Sequence, residues 1–352
     1  MRSVDSTGGL AQFAPAPFTQ HGGRLTDARS LCPDAPKPWI DLSTAINPNP
    51  YPAPRASAQA RARLPEFQEL QKLEAAAARA FGVDNPERIL ATAGSETVVR
   101  LLPHVLPSVT EAKIVWPTYT SHTDSWQRLG VPVGRVYSIE RASLAPGTVV
   151  TLVNPNSPDG SITPREQLLE AHDRIAAHDG YLVIDEAFAD ADPSCSVADL
   201  AGTERYPRII VLRSFGKFYG LAGVRLGFTI AAPALIARIR AALGDWPVAA
   251  DAIAAGLAAY TDPLWAERTR VRLRSAARKL DALLIRSGFD IVGGASLFRL
   301  ARSELAPARF NQLLRAGILA RPFNHDIKLL RFGLPHGDAA WRRLRDTLRA
   351  RP

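Results

Sequence analysis

At 352 residues the chain is long enough for one large domain and a smaller one, and its 46% apolar content is that of an ordinary globular protein. No apolar run approaches the ~20 residues that span a bilayer, and the first twenty residues lack the basic start and apolar core of a signal peptide. The net charge of +9 does not point to nucleic acid: the arginines are scattered through alanine- and leucine-rich helical stretches such as Arg268-Thr-Arg270-Val-Arg-Leu-Arg274, without a nucleic-acid motif, so an anionic small molecule is the better use for it. Cys32 and Cys195 have neither metal nor disulfide spacing, so no metal, reduced thiols and a cytoplasmic location are expected.

In chain order, residues 1–20 read as a loose Ala/Pro arm. Leu70, Leu73 and Ala77 then share one face of a first long helix. Ile89-Leu90-Ala91 is a short apolar strand, followed by Ala93-Gly94-Ser95-Glu96-Thr97, which opens a helical pattern from Val98 to Leu106. Ile114-Val115-Trp116 is the next strand, with Pro117, Thr118 and Tyr119 behind it. Thr151-Leu-Val153 leads into the turn Asn154-Pro-Asn-Ser157-Pro-Asp-Gly160, and Thr163-Pro-Arg-Glu166 has the form of a capping box for a helix running to about His178. Tyr181-Leu-Val-Ile-Asp185 and Arg208-Ile-Ile-Val-Leu212 are near-continuous apolar runs, the pattern of strands buried on both faces. Beyond them come a long Ala/Arg/Leu helix, about Pro263 to Ser287, and strands near Ser296–Leu300 and Lys328–Phe332. The alternation of strand and helix predicts an α/β fold with a mostly parallel sheet in a large domain, 56–235. A smaller α+β domain is expected from 21–55 with 236–352.

The chemistry concentrates in Ser214-Phe-Gly-Lys217-Phe-Tyr-Gly-Leu-Ala-Gly-Val-Arg225-Leu-Gly-Phe228. A lysine among apolar side chains loses solvation of its charged form, and the neutral amine is a nucleophile toward aldehydes. Ser214 and Arg225 are suited to a phosphate, through a hydroxyl and a bidentate fork. Aldehyde and phosphate together point to pyridoxal phosphate. Asp185, at the C-terminal end of its strand and 32 positions before Lys217, is placed to hold a proton on the pyridine nitrogen. The backbone of Gly94, Ser95 and Glu96 is a candidate phosphate seat, or a plain helix start, and the two uses are compatible. Tyr119 is either a ring that stacks on the pyridine face or a core aromatic. Ser157 lies in a turn whose short polar side chains can reach the cofactor's phenolic oxygen.

The motifs Asn-Pro-Asn-x-Pro-x-Gly, Asp-Glu-Ala-Phe and Ser-x-x-Lys-x-Tyr with its trailing arginine resemble, over roughly residues 60 to 230, the fold-type I pyridoxal-phosphate enzymes, the aspartate aminotransferase superfamily. His21-Gly22-Gly23, Asp41-Leu-Ser-Thr-Ala-Ile-Asn47-Pro48, Gly317-Ile-Leu-Ala-Arg321-Pro and Lys328-Leu-Leu-Arg331-Phe-Gly-Leu-Pro narrow the resemblance to the threonine-phosphate decarboxylases of cobalamin biosynthesis. That resemblance implies a cytoplasmic homodimer that decarboxylates O-phospho-L-threonine to (R)-1-amino-2-propanol O-phosphate. His21, Gly22, Arg321 and Arg331 would hold the phosphorylated amino acid, between the two domains. The related histidinol-phosphate aminotransferases use nearly the same residues, with substrate orientation deciding the outcome, so a phosphate-specific aminotransferase is the alternative; a cofactor-binding homologue without turnover is a third. Three positions depart from the family pattern. Ser157 replaces an asparagine that bonds the phenolic oxygen, Ala45 replaces a substrate-contacting asparagine, and Leu64 replaces a tyrosine that reaches across the dimer.

Overall fold

The computed structural model describes residues 16–352. The helices are α1 (Ala16–Gln20), α2 (Leu25–Leu31), α3 (Ala58–Arg61), α4 (Phe67–Phe81), α5 (Ser95–Val105), α6 (Ser121–Gln127), α7 (Arg165–Ala176), α8 (Phe215–Phe218), α9 (Pro233–Leu243), α10 (Ala250–Tyr260), α11 (Pro263–Arg286), α12 (Ala306–Arg315) and α13 (Gly337–Arg349). The strands are β1 (Ile40–Asp41), β2 (Ile89–Thr92), β3 (Glu111–Val115), β4 (Val133–Val136), β5 (Thr148–Val153), β6 (Tyr181–Asp185), β7 (Ile209–Ser214), β8 (Gly227–Ile230), β9 (Asp290–Ala295), β10 (Phe298–Arg302), β11 (Ile318–Leu319), β12 (Arg321–Pro322) and β13 (Leu329–Gly333). Among the described residues, no helix is long and apolar enough to cross a membrane.

The chain divides into two compact units, a larger one of 46–279 with 293–299 and a smaller one whose described residues are 16–45, 280–292 and 300–352. In the larger unit seven strands run in the order β2-β8-β7-β6-β5-β3-β4. All neighbours are parallel except β8, which is antiparallel to β2 and to β7. Leu90, Ile114, Val149, Val183, Ile210 and Leu212 form one apolar face, packed under residues of α5, α6 and α9. Side chains alternate along a strand, so Ala91 and its partner Phe228 lie on the opposite face. There Phe228 meets Phe81 of α4 and Tyr260 of α10, with ring centroids 5.7 and 5.4 Å apart. Helices therefore cover both faces, and the strands carry the unbroken apolar pattern that such burial requires.

The helix expected around Leu70, Leu73 and Ala77 is α4. Glu66 and Glu69 cap it reciprocally, and it ends at left-handed Gly82. Thr163 does not cap α7: the N-cap is Pro164, and the Thr163 N–H instead donates to Asn154 Oδ1 at 2.8 Å, which ties the turn after β5 to the start of the helix.

The smaller unit holds the antiparallel pair β12-β13 and the parallel pair β1-β11. The unit boundaries differ from those read in the sequence. Residues 46–55 and 236–279 fall in the larger unit, where α10 brings Tyr260 against Phe81 and Phe215. An alanine-rich helix carries no sequence mark of which core it will join. Of the expected arm, residues 1–15 lie outside the described residues, while 16–20 form α1, with Phe18 buried edge-on against Phe310.

Candidate active site

In the larger unit the loops at the C-terminal ends of the strands converge. β2 ends at Thr92 and α5 starts at Ser95, with Gly94 as its N-cap at φ +87°. The first N–H groups of a helix have no acceptor within it, so those of Ser95 and Glu96 are free to face a ligand. Arg225 lies over this turn: a Cβ on Gly94 would stand 2.7 Å from its Nη2. Position 94 therefore requires glycine for its left-handed backbone and for the close approach of the guanidinium. Ser214 pairs in register with Gly227, where a Cβ would come within 2.4 Å of the Ser95 nitrogen. The sheet thus gathers two helix-start amides, a hydroxyl and a guanidinium around one small region.

Asp185 ends β6 and is almost fully buried. Its Oδ1 accepts the Ala187 N–H at 3.0 Å, and its Oδ2 meets Nε2 of His122 at 2.9 Å. His122 is itself buried on the first turn of α6, with its ring 6.0 Å edge-on from that of Tyr119. Burial pushes the Tyr119 phenol above its ordinary pKa, and the neighbouring Glu96 and Asp185 carboxylates add to this against an opposing bond from Ser121. The phenol thus stays a neutral donor. Lys217 lies on the short helix α8 directly after β7, its Nζ 5.8 Å from the centroid of Phe188, three residues beyond Asp185. In the turn after β5, Asn156 accepts from Thr118 Oγ1 and donates to Pro117 O, which fastens this turn to the segment carrying Tyr119. Ser157 follows it, buried.

The smaller unit holds a second cluster. Arg321 and Arg331 face one another across the antiparallel pair β12–β13, and both are buried. Arg331 Nη2 donates to Ser43 O at 2.5 Å and Arg321 Nη2 to Gln20 O at 3.0 Å. Burial, and then the like charge of Arg321, holds Arg331 well below the ordinary guanidinium range, with Asp41 acting in the opposite direction. The His21-Gly22-Gly23 segment packs on the same spot: the Gly23 N–H donates to Ser43 Oγ at 2.8 Å, and a Cβ on Gly22 would lie 2.4 Å from Ser43 O. Ser43 is in turn held by Asp41, whose Oδ1 accepts from both its N–H and its hydroxyl. Ala45, two residues on, sits at φ +54°, a left-handed conformation that asparagine tolerates better than alanine.

The larger unit thus carries Gly94, Ser95, Glu96, Tyr119, Asp185, Ser214 and Arg225, with Lys217 on α8 and Ser157 in the turn after β5. His21, Gly22, Arg321 and Arg331 form the group in the smaller unit. Sequence reasoning missed His122, whose only mark is its position three residues after Tyr119 at a helix start. It also missed the ion network behind Asp185. There Arg213, fully buried, donates to Glu186 at 2.8 Å and to Asp190, and Arg270 Nε donates to Asp190 O at 2.9 Å.

A mostly parallel sheet with one antiparallel strand, a lysine just beyond a strand end and an anion seat at a helix start together define a class of cofactor enzyme, and residues 37–340 match the aminotransferase class I and II family, to which this chain belongs. The chain is 37% identical to the threonine-phosphate decarboxylase of Pseudomonas aeruginosa over 326 residues, 92% of this chain and 96% of that protein. Solved structures share the fold. The L-threonine-O-3-phosphate decarboxylase of Porphyromonas gingivalis superposes with a TM-score of 0.73 at 19% identity, covering 88% of this chain and 98% of that one. The histidinol-phosphate aminotransferase of Clostridium acetobutylicum gives 0.75 at 19% identity, covering 87% and 97%. The fold is therefore common to the two chemistries and does not separate them.

Proposed function

We propose that this protein is a pyridoxal-phosphate-dependent decarboxylase that converts O-phospho-L-threonine to (R)-1-amino-2-propanol O-phosphate. The observation that carries the substrate reading is the buried pair Arg321–Arg331. Two guanidinium groups held side by side away from water repel each other, and a dianionic phosphate or a carboxylate relieves that repulsion. The similarity to a threonine-phosphate decarboxylase over nearly the whole chain supports the same substrate.

The larger unit fits the cofactor. Arg225 beside Gly94, and the helix-start N–H groups of Ser95 and Glu96, supply the positive charge and donors that suit a phosphate, with Ser214 beside them. When bound, pyridoxal phosphate supplies a ring that accepts the electron pair left as a bond to the substrate's amine-bearing carbon breaks. Lys217 offers the amine for its aldehyde. Asp185, oriented by His122 and the Ala187 N–H, holds the proton on the ring nitrogen. Tyr119 would stack on the ring, and Ser157 would be the polar group for its phenolic oxygen. In the smaller unit Arg321, Arg331 and the His21-Gly22 segment are the groups for the substrate's phosphate and carboxylate. The active unit is a cytoplasmic homodimer.

The test is direct. Cofactor-loaded protein given O-phospho-L-threonine and no 2-oxo acid should release carbon dioxide, and unphosphorylated threonine should be a poor substrate. Amino transfer from histidinol phosphate to a 2-oxo acid, with no carbon dioxide from phosphothreonine, would reject this function.

A further inference from the structure

We propose that Asn47 is a positioning residue for Lys217, and that residues 47–54 form a stiff strap that fixes the backbone on which the lysine is carried. The inference rests on the proposed role of Lys217 and adds how that lysine is held. The segment reads Asn47-Pro-Asn-Pro-Tyr51-Pro-Ala-Pro54, with proline at every second position. Each proline fixes its own φ and restricts the residue before it, so the strap is rigid before it touches anything. Only residues 47, 49, 51 and 53 retain an N–H, and all four are used. Asn47 N–H donates to Lys217 O at 2.9 Å and Tyr51 N–H to Tyr219 O at 2.8 Å. Asn49 N–H donates to Asn47 Oδ1 at 3.0 Å, and Ala53 N–H to Tyr51 O at 2.8 Å.

The lysine's helix needs such support. α8 has four residues, and a helix so short leaves its terminal carbonyls without helical partners. Three successive carbonyls, those of Lys217, Phe218 and Tyr219, are taken by the strap, the middle one by the Asn47 side chain, whose Nδ2 donates to Phe218 O at 2.8 Å. Asn47 is 2% exposed, and the bond from Asn49 fixes which end of its amide faces Phe218. An independent feature agrees: a Cβ on Gly220 would meet Asn47 O at 2.7 Å and Pro50 Cα at 2.8 Å, so the loop after the lysine admits only glycine beneath the strap. Tyr51 anchors the far end, its hydroxyl donating to Ala258 O and its ring edge-on to Tyr219 and Trp265.

The experiment compares wild type with Asn47→Ala, which removes the side-chain donor, and Asn47→Asp, which turns an acceptor toward the Phe218 carbonyl. Three quantities are read on cofactor-loaded protein: the visible absorbance of the lysine-bound cofactor against pH, the split between kcat and KM, and amide hydrogen exchange at Asn47 in wild type. Both variants should take up cofactor yet show a shifted absorbance midpoint, with kcat lowered on the order of tenfold at nearly constant KM and Asp the worse of the two. The Asn47 N–H of wild type should exchange as slowly as the amides of β7. Variants with wild-type midpoint and kcat would overturn the inference. So would rapid exchange at Asn47, which decides the matter even if neither variant folds. A wild type that binds pyridoxal phosphate at no lysine would instead bring down the cofactor reading itself.

Discussion

Asp185 and Arg331 are both ionisable and buried, and their surroundings differ. Asp185 has each oxygen engaged, by the Ala187 N–H and by His122, so its carboxyl group is held in one orientation. Replacing it with asparagine keeps the shape and removes the charge that would stabilise a protonated ring nitrogen. Asp185→Asn should therefore fold and bind cofactor, with turnover reduced by ~10²–10³, as measured by steady-state kinetics. Arg331 is next to a second guanidinium, and the proposed reading has it hold an anion of the substrate. Arg331→Ala should raise KM for O-phospho-L-threonine, and Arg331→Lys should restore little, because an ammonium lacks the planar fork. A lysine variant with wild-type KM would show that charge alone suffices. The proposed roles of Asp185, Lys217 and Arg225 rest on residue type and spacing, which the sequence itself displays. His122 was not legible there, since its meaning comes from a contact 63 positions away across parallel strands.

At the scale of elements, β6 and β7 do most of the positioning. They pair in parallel register, Asp185 opposite Leu212, and so deliver Asp185 and the Ser214–Lys217 segment to the same end of the sheet. One cost of this arrangement is Arg213, whose side chain points into the far face, over the ring of Phe81 at 4.3 Å. Burial works against its charge, but Asp190 and Glu186 hold its pKa above the ordinary value. Removing the arginine would leave the buried carboxylates of Glu186 and Asp190 without their cation. Arg213→Met should destabilise the fold by about 3–5 kcal/mol in denaturant unfolding, far more than a surface arginine would. Burial also pushes the thiol of Cys195, beside this network, up to about 12, with Glu186 adding to the effect, so it is a packing residue and not a reactive one. The strands themselves could be read from their apolar runs. The network could not, because an arginine inside such a run gives no sign of which carboxylates will meet it.

At the scale of the molecule, the larger unit leaves Leu64, Phe67 and Trp246 exposed, with Phe67 and Trp246 on a groove of about 280 Å³ that Pro65, Leu70 and Val248 also line. Trp246 sits there at φ +57°, a conformation that a bulky residue adopts only when its surroundings hold it. An apolar patch of this kind is the surface expected of a subunit contact, in line with the proposed homodimer. Sedimentation should find a dimer at assay concentration, and Trp246→Asp should shift it toward monomer; an active wild-type monomer would refute the assembly.

The sequence by itself determined the α/β alternation, the cofactor motif and the two arginine segments, because each is written within a dozen neighbouring residues as an apolar period or a fixed spacing of chemical groups. It did not determine the unit boundaries: α10 joins the larger unit through ring contacts of Tyr260 with Phe81, Phe215 and Phe228, partners scattered over nearly 150 positions of chain. Nor did it reveal that the proline-rich run after Asn47 braces Lys217, or that Arg321 and Arg331 stand opposite each other on paired strands. Those are consequences of register and packing, which are decided only when the chain folds.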